Sequence, residues 1–508
     1  MTLGARVLYL AHFGEVPRLA SEGPVLYSIW KIRHGYPLYE SPFVPFFPVT
    51  LYNFLSYETY AAAFRAFGVA DAWTPVAGRI VTAAFGVAGG LLQYAAARAL
   101  LNGRGDRAPI VLLTIVTWTG TVLPGSWTLA IRPDVGAVAL DLAGIWLVLT
   151  VLGVRGVRGV REVPGVLEVP QVPRVPQVPR VPRVRSGRLI AAGVMFYAAW
   201  AFKQSHVVVA AATAVYFLIW RRSLRQAALV AVPFALGVVA TLAIGGSLYR
   251  QNIVDAPALS PLLALYAWFG VRTIALPEAP FWAATAIAMA ALLADPRAMT
   301  ERSVRVFGVD LVYPLLLTLA TAAAAVPMLA KAGSAINHAI ELKVCAALVT
   351  AGVLGGTRIR SRAMDAIMAA AAAIALLSHV SRATVEYRLL VNGVRGTDPS
   401  VASRRAAAET IARLPRPVYT EDELYALPWI ANGNAYPAII PDYQVYHAAK
   451  DAGALSDTTE AMVARGVFAS LAVAETSPLV PLAQQSGYEL VEVVPQVIDR
   501  PVAILRRR

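Results

Sequence analysis

The fold turns on "SEGPVLYSIWKIRHGYPLYESP", residues 21–42. It holds two carboxylates, two strong bases and four aromatic rings, with a Gly-Tyr-Pro turn near its end. Val25, Leu26, Ile29 and Ile32 recur at helical spacing, and Lys31 and Arg33 fall on polar positions. Residues 24–34 therefore read as an amphipathic helix laid along a membrane surface. Gly35 ends it, and Pro37 prevents its continuation. "FVPFFPVTLYNFLSY", residues 43–57, follows, and its prolines and aromatics suit an ordered interfacial loop.

Outward from this patch the chain is apolar. Of its 508 residues 57% are hydrophobic and only 15% are charged, against about 25% charged in an ordinary soluble domain. Many apolar runs approach the ~20 residues that a spanning helix needs. The net charge is +14, yet the arginines sit in short loops between apolar runs, which is membrane topology and not a nucleic-acid surface. If those loops share one side, the runs pair as hairpins. Spans are expected near 1–13, 76–101, 108–124, 135–153, 188–202, 206–220, 226–247, 277–295, 309–328, 338–356 and 363–381, about eleven in all. The N-terminus is then cytoplasmic. The single cysteine, Cys345, lies in an apolar run and reads as a small core residue; it excludes a disulfide within the chain and any Cys/His metal cluster.

Two stretches depart from this texture. Residues 154–187 repeat a Val-Pro-Arg/Gln unit, so they read as a disordered, basic, extended cytoplasmic loop. After Ser381 short strand-like segments ("RPVYTED", "GVFASLAVAE", "YELVEVV") alternate with polar helical ones. Residues 382–508 are therefore expected to form a small extracytoplasmic α/β domain. Its "ANGNAYP" and "PDYQVYH" stretches read either as sugar contacts or as plain exposed loops. The whole is mostly α: a polytopic membrane helix bundle, residues 1–381, with that domain appended.

The proposed topology gathers the unexplained polar residues on the outer side: Glu22, the "RPD" of Arg132 to Asp134, the "FKQSH" of Phe202 to His206, "SLYRQN" and "KAGSAINHAIE". A carboxylate after a first span, a helix, "HGYPLYESP" and a Pro-aromatic run resemble the membrane glycosyltransferases of the GT-C class, nearest the family 39 and RgtA/B/C/D-like proteins. The likeness extends through "AIRPDVGAVALDLAGIWLVL", "YAAWAFKQSHVVVAAATAVYFLIWRR" and "SAINHAIELKVCAALVTAGVL", about residues 10–380. Those families often place Asp-Glu in the first outer loop; here the pair is Ser21-Glu22, so Glu22 stands alone or with Glu15.

The resemblance implies transfer of a sugar from a polyprenyl-phosphate carrier to a glycan, lipid or protein acceptor, within the plasma membrane and among its lipids. Such a site needs a carboxylate to take the acceptor's proton and cations for the departing phosphate. Glu22, Asp134 and Glu341 are the candidate catalytic carboxylates. Arg132, Lys203, Gln204, Lys331, Asn337, His338 and Tyr39 are the candidate substrate contacts, with Arg250 a further outer cation. Each has a structural reading beside the functional one. Arg132 and Asp134 suit a helix-start ion pair. Lys203 suits an interface anchor, and Asp141, two turns beyond Asp134, suits helix packing. No resident metal is expected, although Asp134, Glu22 and Glu341 could offer oxygen ligands to a divalent cation. Two further readings use the same features: a flippase of lipid-linked sugars, and a non-catalytic member in which Ser21 marks a lost acid.

Overall fold

The structure is a computed structural model. It describes residues 22–48, 50–101, 107–119, 127–128, 130–153, 183–293, 305–306, 309–331, 336–356, 362–394, 406, 409–420, 443–497 and 500–508. In chain order the first helices are α1 (Glu22–Arg33), α2 (Phe54–Ala66), α3 (Thr74–Leu100), α4 (Arg107–Thr119), α5 (Asp134–Gly153), α6 (Arg183–Phe202) and α7 (Val208–Val215). There follow α8 (Leu224–Arg250), α9 (Ala264–Ala275), α10 (Ala279–Leu293), α11 (Val312–Ala330), α12 (Ile340–Gly356) and α13 (Arg362–Val394).

Among the described residues, five helical stretches are long and apolar enough to cross a membrane: Asp71–Leu100, Asp134–Gly153, Leu224–Ala258, Val312–Ala330 and Asn337–Leu354. Ile110–Thr119, Ser186–Phe202, Val208–Trp220 and Ala279–Ala290 are shorter apolar helices. These nine lie on nine of the expected spans. The expected 363–381 span falls inside α13, which runs on past residue 381 to Val394. The expected 1–13 span, Glu15, Ser21 and residues 154–182 of the basic insert lie outside the described residues, while residues 183–187 belong to α6. The twelve-residue α9 was not expected from the sequence.

Local chemistry explains the helix ends and contacts. Pro75 lies in the first turn of α3, where a missing N–H costs nothing. Ser223 caps α8 by accepting from the Gln226 amide. In the bundle α3 packs on α5, α5 on α6 and α6 on α8. Small residues permit this: a Cβ on Gly144 would lie 2.3 Å from the Phe196 ring, so α5 and α6 approach where only glycine fits. The helices alternate in direction. As a result the starts of α5, α7 and α12 and the ends of α6 and α11 meet at one end of the bundle, and Arg98, Arg107, Arg221, Arg222 and Arg225 lie toward the other.

The helix expected to lie on a membrane surface does not. From Glu22 to Lys31 every residue of α1 is buried. Its polar side is covered because its charges find partners. Arg33 reaches Asp71 at 2.8 Å and the Val69 carbonyl at 2.5 Å, Trp30 donates to Asp71 at 3.1 Å, and Lys31 meets Glu40 at 2.6 Å. A polar face satisfied by ion pairs can be buried. Gly35 does end the helix, with φ +79°.

At the C-terminal end, β1 (Val418–Thr420), β2 (Ser470–Ala474), β3 (Tyr488–Val497) and β4 (Arg500–Arg507) form one sheet in the order β1-β2-β4-β3. β1 runs parallel to β2, and the other neighbours are antiparallel. Helices α14 (Tyr443–Asp451), α15 (Thr459–Ala464) and α16 (Leu479–Gln485) accompany it. The first three strands fall on the three segments read as strands. "ANGNAYP" lies outside the described residues, and Tyr443 to His447 of "PDYQVYH" are helical, not a loop.

The Pro-aromatic loop joins this unit to the bundle. Phe46 and Phe47 both take positive φ, 72° and 45°, a conformation that costs a bulky residue roughly 1–2 kcal/mol. What it gains is burial. The Phe47 ring sits 5.0 Å from Tyr446 and packs with Met462, Val463 and Leu471. Ser456 donates its amide to the Phe43 carbonyl at 3.0 Å. Phe47→Ala should lower the stability of the C-terminal unit by about 3–5 kcal/mol. Thermal unfolding of the purified protein checks this, and an unchanged transition would show that the loop does not pin the unit.

Candidate active site

The end of the bundle where α5, α7 and α12 start holds a ring of charge. Asp134 opens α5, where the helix dipole favours a carboxylate. Lys203 follows the last residue of α6 and bonds Asp134 Oδ1. Asn337, in the single turn before α12, donates to the same oxygen at 2.5 Å. Arg132 Nε lies 3.3 Å from Asp134 Oδ2. The Arg132 guanidinium stacks 4.7 Å from the Trp127 ring and 5.7 Å from that of Tyr52, whose hydroxyl it also bonds at 2.5 Å. Asp134 thus pairs with two cations, and its Oδ1 accepts hydrogen bonds from Lys203 and Asn337. Burial, together with Arg132 nearby, pulls the Lys203 ammonium below its ordinary pKa despite the Asp134 carboxylate.

A second cluster lies deeper. Asp141 is two turns further along α5, about 10 Å inward. His206, in the turn between α6 and α7, places Nδ1 2.7 Å from Asp141 Oδ2 and 3.0 Å from Glu341 Oε1 of α12. Lys203, His206, Asn337, His338 and Glu341 line a narrow cleft, closed on its apolar side by residues of α11 such as Thr321 and Met328.

The remaining candidates are placed as follows. Glu22 is fully buried; Oε2 meets Arg79 at 3.0 Å and Oε1 accepts the Ile131 amide at 2.9 Å. Gln204 donates to the Leu51 carbonyl at 2.9 Å, and Tyr39 donates to the Tyr52 carbonyl at 3.1 Å, so both hold the strap that carries Tyr52. Lys331 follows α11, where its backbone pairs with Leu262 and burial lowers its pKa. Arg250 is exposed beside Asp255 at 3.3 Å. The fold therefore gathers Asp134, Arg132, Lys203 and Asn337 in one cluster and His338 and Glu341 beside it. Lys331 and Arg250 make no contact with that cluster among the described residues.

Sequence reasoning missed Arg79, Tyr52 and Trp127. An arginine near the start of the apolar run 76–101 was the available signal for Arg79, because such a charge implies a buried partner. Tyr52 and Trp127 gave none. Glu22, Asp134 and Glu341 do not converge, whereas the ligand atoms of Asp141, His206 and Glu341 lie within 4.8 Å of one another.

No family model and no curated protein matches the chain. Solved structures do. The chain is similar to ArnT from Cupriavidus metallidurans bound to undecaprenyl phosphate, with a TM-score of 0.53 and 13% identity over 99% of this chain and 96% of that one. The oligosaccharyltransferase of Archaeoglobus fulgidus, in complex with Zn and sulfate, matches with a TM-score of 0.51 and 11% identity over 96% and 71%. The same organism's AglB, with an inhibitory peptide and a dolichol-phosphate, matches with a TM-score of 0.50 and 9% identity over 93% and 69%. Likeness at this level establishes architecture: the chain has the GT-C fold of membrane glycosyltransferases.

Proposed function

We propose that this chain, with its GT-C fold, is a membrane glycosyltransferase that moves a hexosyl or pentosyl group from a polyprenyl-phosphate carrier to an acceptor hydroxyl. The observation that carries this is one cleft lined by both Lys203 and Glu341, a cation for a leaving phosphate and a carboxylate for an attacking hydroxyl. The undecaprenyl phosphate and dolichol-phosphate held by structures of the same fold support the donor class. The arginines at the far end of the bundle favour the cytoplasm there, which leaves the cleft and the C-terminal unit on the extracytoplasmic side. The acceptor is then a glycan, lipid or protein presented at that face.

The chemistry is a single inverting displacement. The acceptor oxygen bonds to the anomeric carbon as the bond from that carbon to the phosphate oxygen breaks. The hydroxyl proton passes to a carboxylate, and polyprenyl phosphate leaves with the electron pair. Glu341 is the acid best placed to take the proton, since it lines the cleft with 12% of its side chain exposed, whereas neither Glu22 nor Asp134 lines it. Glu22 is instead held by Arg79 and the Ile131 amide, and Asp134 by Lys203 and Asn337 on its Oδ1, so they act as positioning residues. Lys203 meets the phosphate as a point charge, and Arg132 can grip two oxygens in parallel. His338 and Asn337 lie where the sugar would stand.

Transfer from a panel of polyprenyl-phosphate sugars, in proteoliposomes, tests this. Lys203→Met should lower kcat about 10²–10³-fold, the loss typical of one donor to developing charge. Arg225→Gln, at the far end, should leave the rate unchanged. A well-folded protein that transfers from no donor, yet carries lipid-linked sugar across the bilayer, would replace the enzyme with a flippase.

A further inference from the structure

We infer that Asp141, His206 and Glu341 form a binding site for one divalent cation of the Mn²⁺ or Zn²⁺ kind at the floor of the cleft. The three groups come from three separate elements: the middle of α5, the turn after α6 and the start of α12. Their ligand atoms lie within 4.8 Å of one another, and a single atom, His206 Nδ1, faces both carboxylates at 2.7 and 3.0 Å. Bonds near 2.1 Å in a tetrahedral array separate ligand atoms by roughly 3.4 Å, so a slight opening of these contacts admits the ion.

The second, independent observation is an unmet oxygen. Asp141 is 3% exposed, and its Oδ1 has no hydrogen-bond partner. A buried carboxylate oxygen left this way is costly, and a cation at the cluster removes the cost. Charge gives the same answer. Two carboxylates in an apolar bundle are balanced by one dication with a neutral imidazole. Two hard oxygens with one imidazole nitrogen suit Mn²⁺ or Zn²⁺ better than a softer metal.

Three protein ligands leave a coordination position, and two of them, His206 and Glu341, line the cleft. When bound there, the ion supplies positive charge to an oxygen of the donor or the acceptor, a consequence that rests on the transferase reading. A carboxylate has two oxygens, so Glu341 can hold the ion through one and take the acceptor's proton at the other.

The test measures binding, without any sugar donor. Full-length protein in detergent is stripped with chelator and titrated with MnCl₂, with free Mn²⁺ followed by electron paramagnetic resonance. One Mn²⁺ per chain, displaced by Zn²⁺, is expected. Asp141→Asn and Glu341→Gln should weaken it by more than about tenfold, and Glu341→Asp, which keeps the ligand, should largely retain it. Gel filtration and metal-free unfolding establish that each variant is folded. Absence of stoichiometric Mn²⁺ or Zn²⁺ in the wild type would overturn the site and leave an imidazolium bridging two carboxylates. A folded Asp141→Asn that binds as tightly as wild type would overturn it too. Metal bound without transfer from any donor would sink the enzyme and keep the site; transfer without metal would do the reverse.

Discussion

Glu22→Gln is expected to unsettle the fold before it touches the chemistry. The variant leaves Arg79 charged, fully buried and without its carboxylate, and breaking a buried pair from one side costs about 3–5 kcal/mol. The same change loosens α1 from the start of α5, because the Ile131 amide loses a charged acceptor. The double variant Glu22→Gln/Arg79→Met should recover much of the loss, since both halves of the buried pair are then gone. Thermal unfolding in detergent measures both effects. Sugar transfer is then scored per folded molecule. A Glu22→Gln protein as stable as wild type and inactive would make Glu22 the base after all.

Glu341→Gln is expected to do the opposite: the protein folds, and kcat falls about 10²–10⁴-fold, the range for loss of a general base. The KM for the donor should change little, because the phosphate cations Lys203 and Arg132 keep Asp134 as their partner. Asp141→Asn separates the base from the cation. It removes a metal ligand and leaves the Glu341 carboxylate in place. A much larger loss in Glu341→Gln than in Asp141→Asn supports Glu341 as base. Equal losses would assign the effect to the cation cluster. A fully active Glu341→Gln protein would remove Glu341 from the reaction.

The sequence by itself determined the bundle. Apolar runs and the arginines between them are local signals, and bilayer thickness converts run length into helices. Nine of the expected spans have apolar helices on them for that reason. The strands at Val418, Ser470 and Tyr488 were legible in the same way, from short β-branched and aromatic runs bounded by turns. The sequence also marked Asp134, Lys203, Asn337 and Glu341, because a polar residue at the edge of an apolar run is conspicuous.

Only the tertiary structure decided which charges meet. Glu22 pairs with Arg79 across 57 residues and with the Ile131 amide across 109; His206 reaches Asp141 across 65. Helical period fixes which residues share a face of one helix, but not which neighbour that face packs against. For α1 this difference was decisive. Its amphipathic pattern suits a membrane surface equally well, and partners on Asp71 and Glu40 allowed it to be buried instead. Asp141 looked like a packing residue for the same reason: its two partners come from the turn after α6 and from α12, and packing alone brings them to one point.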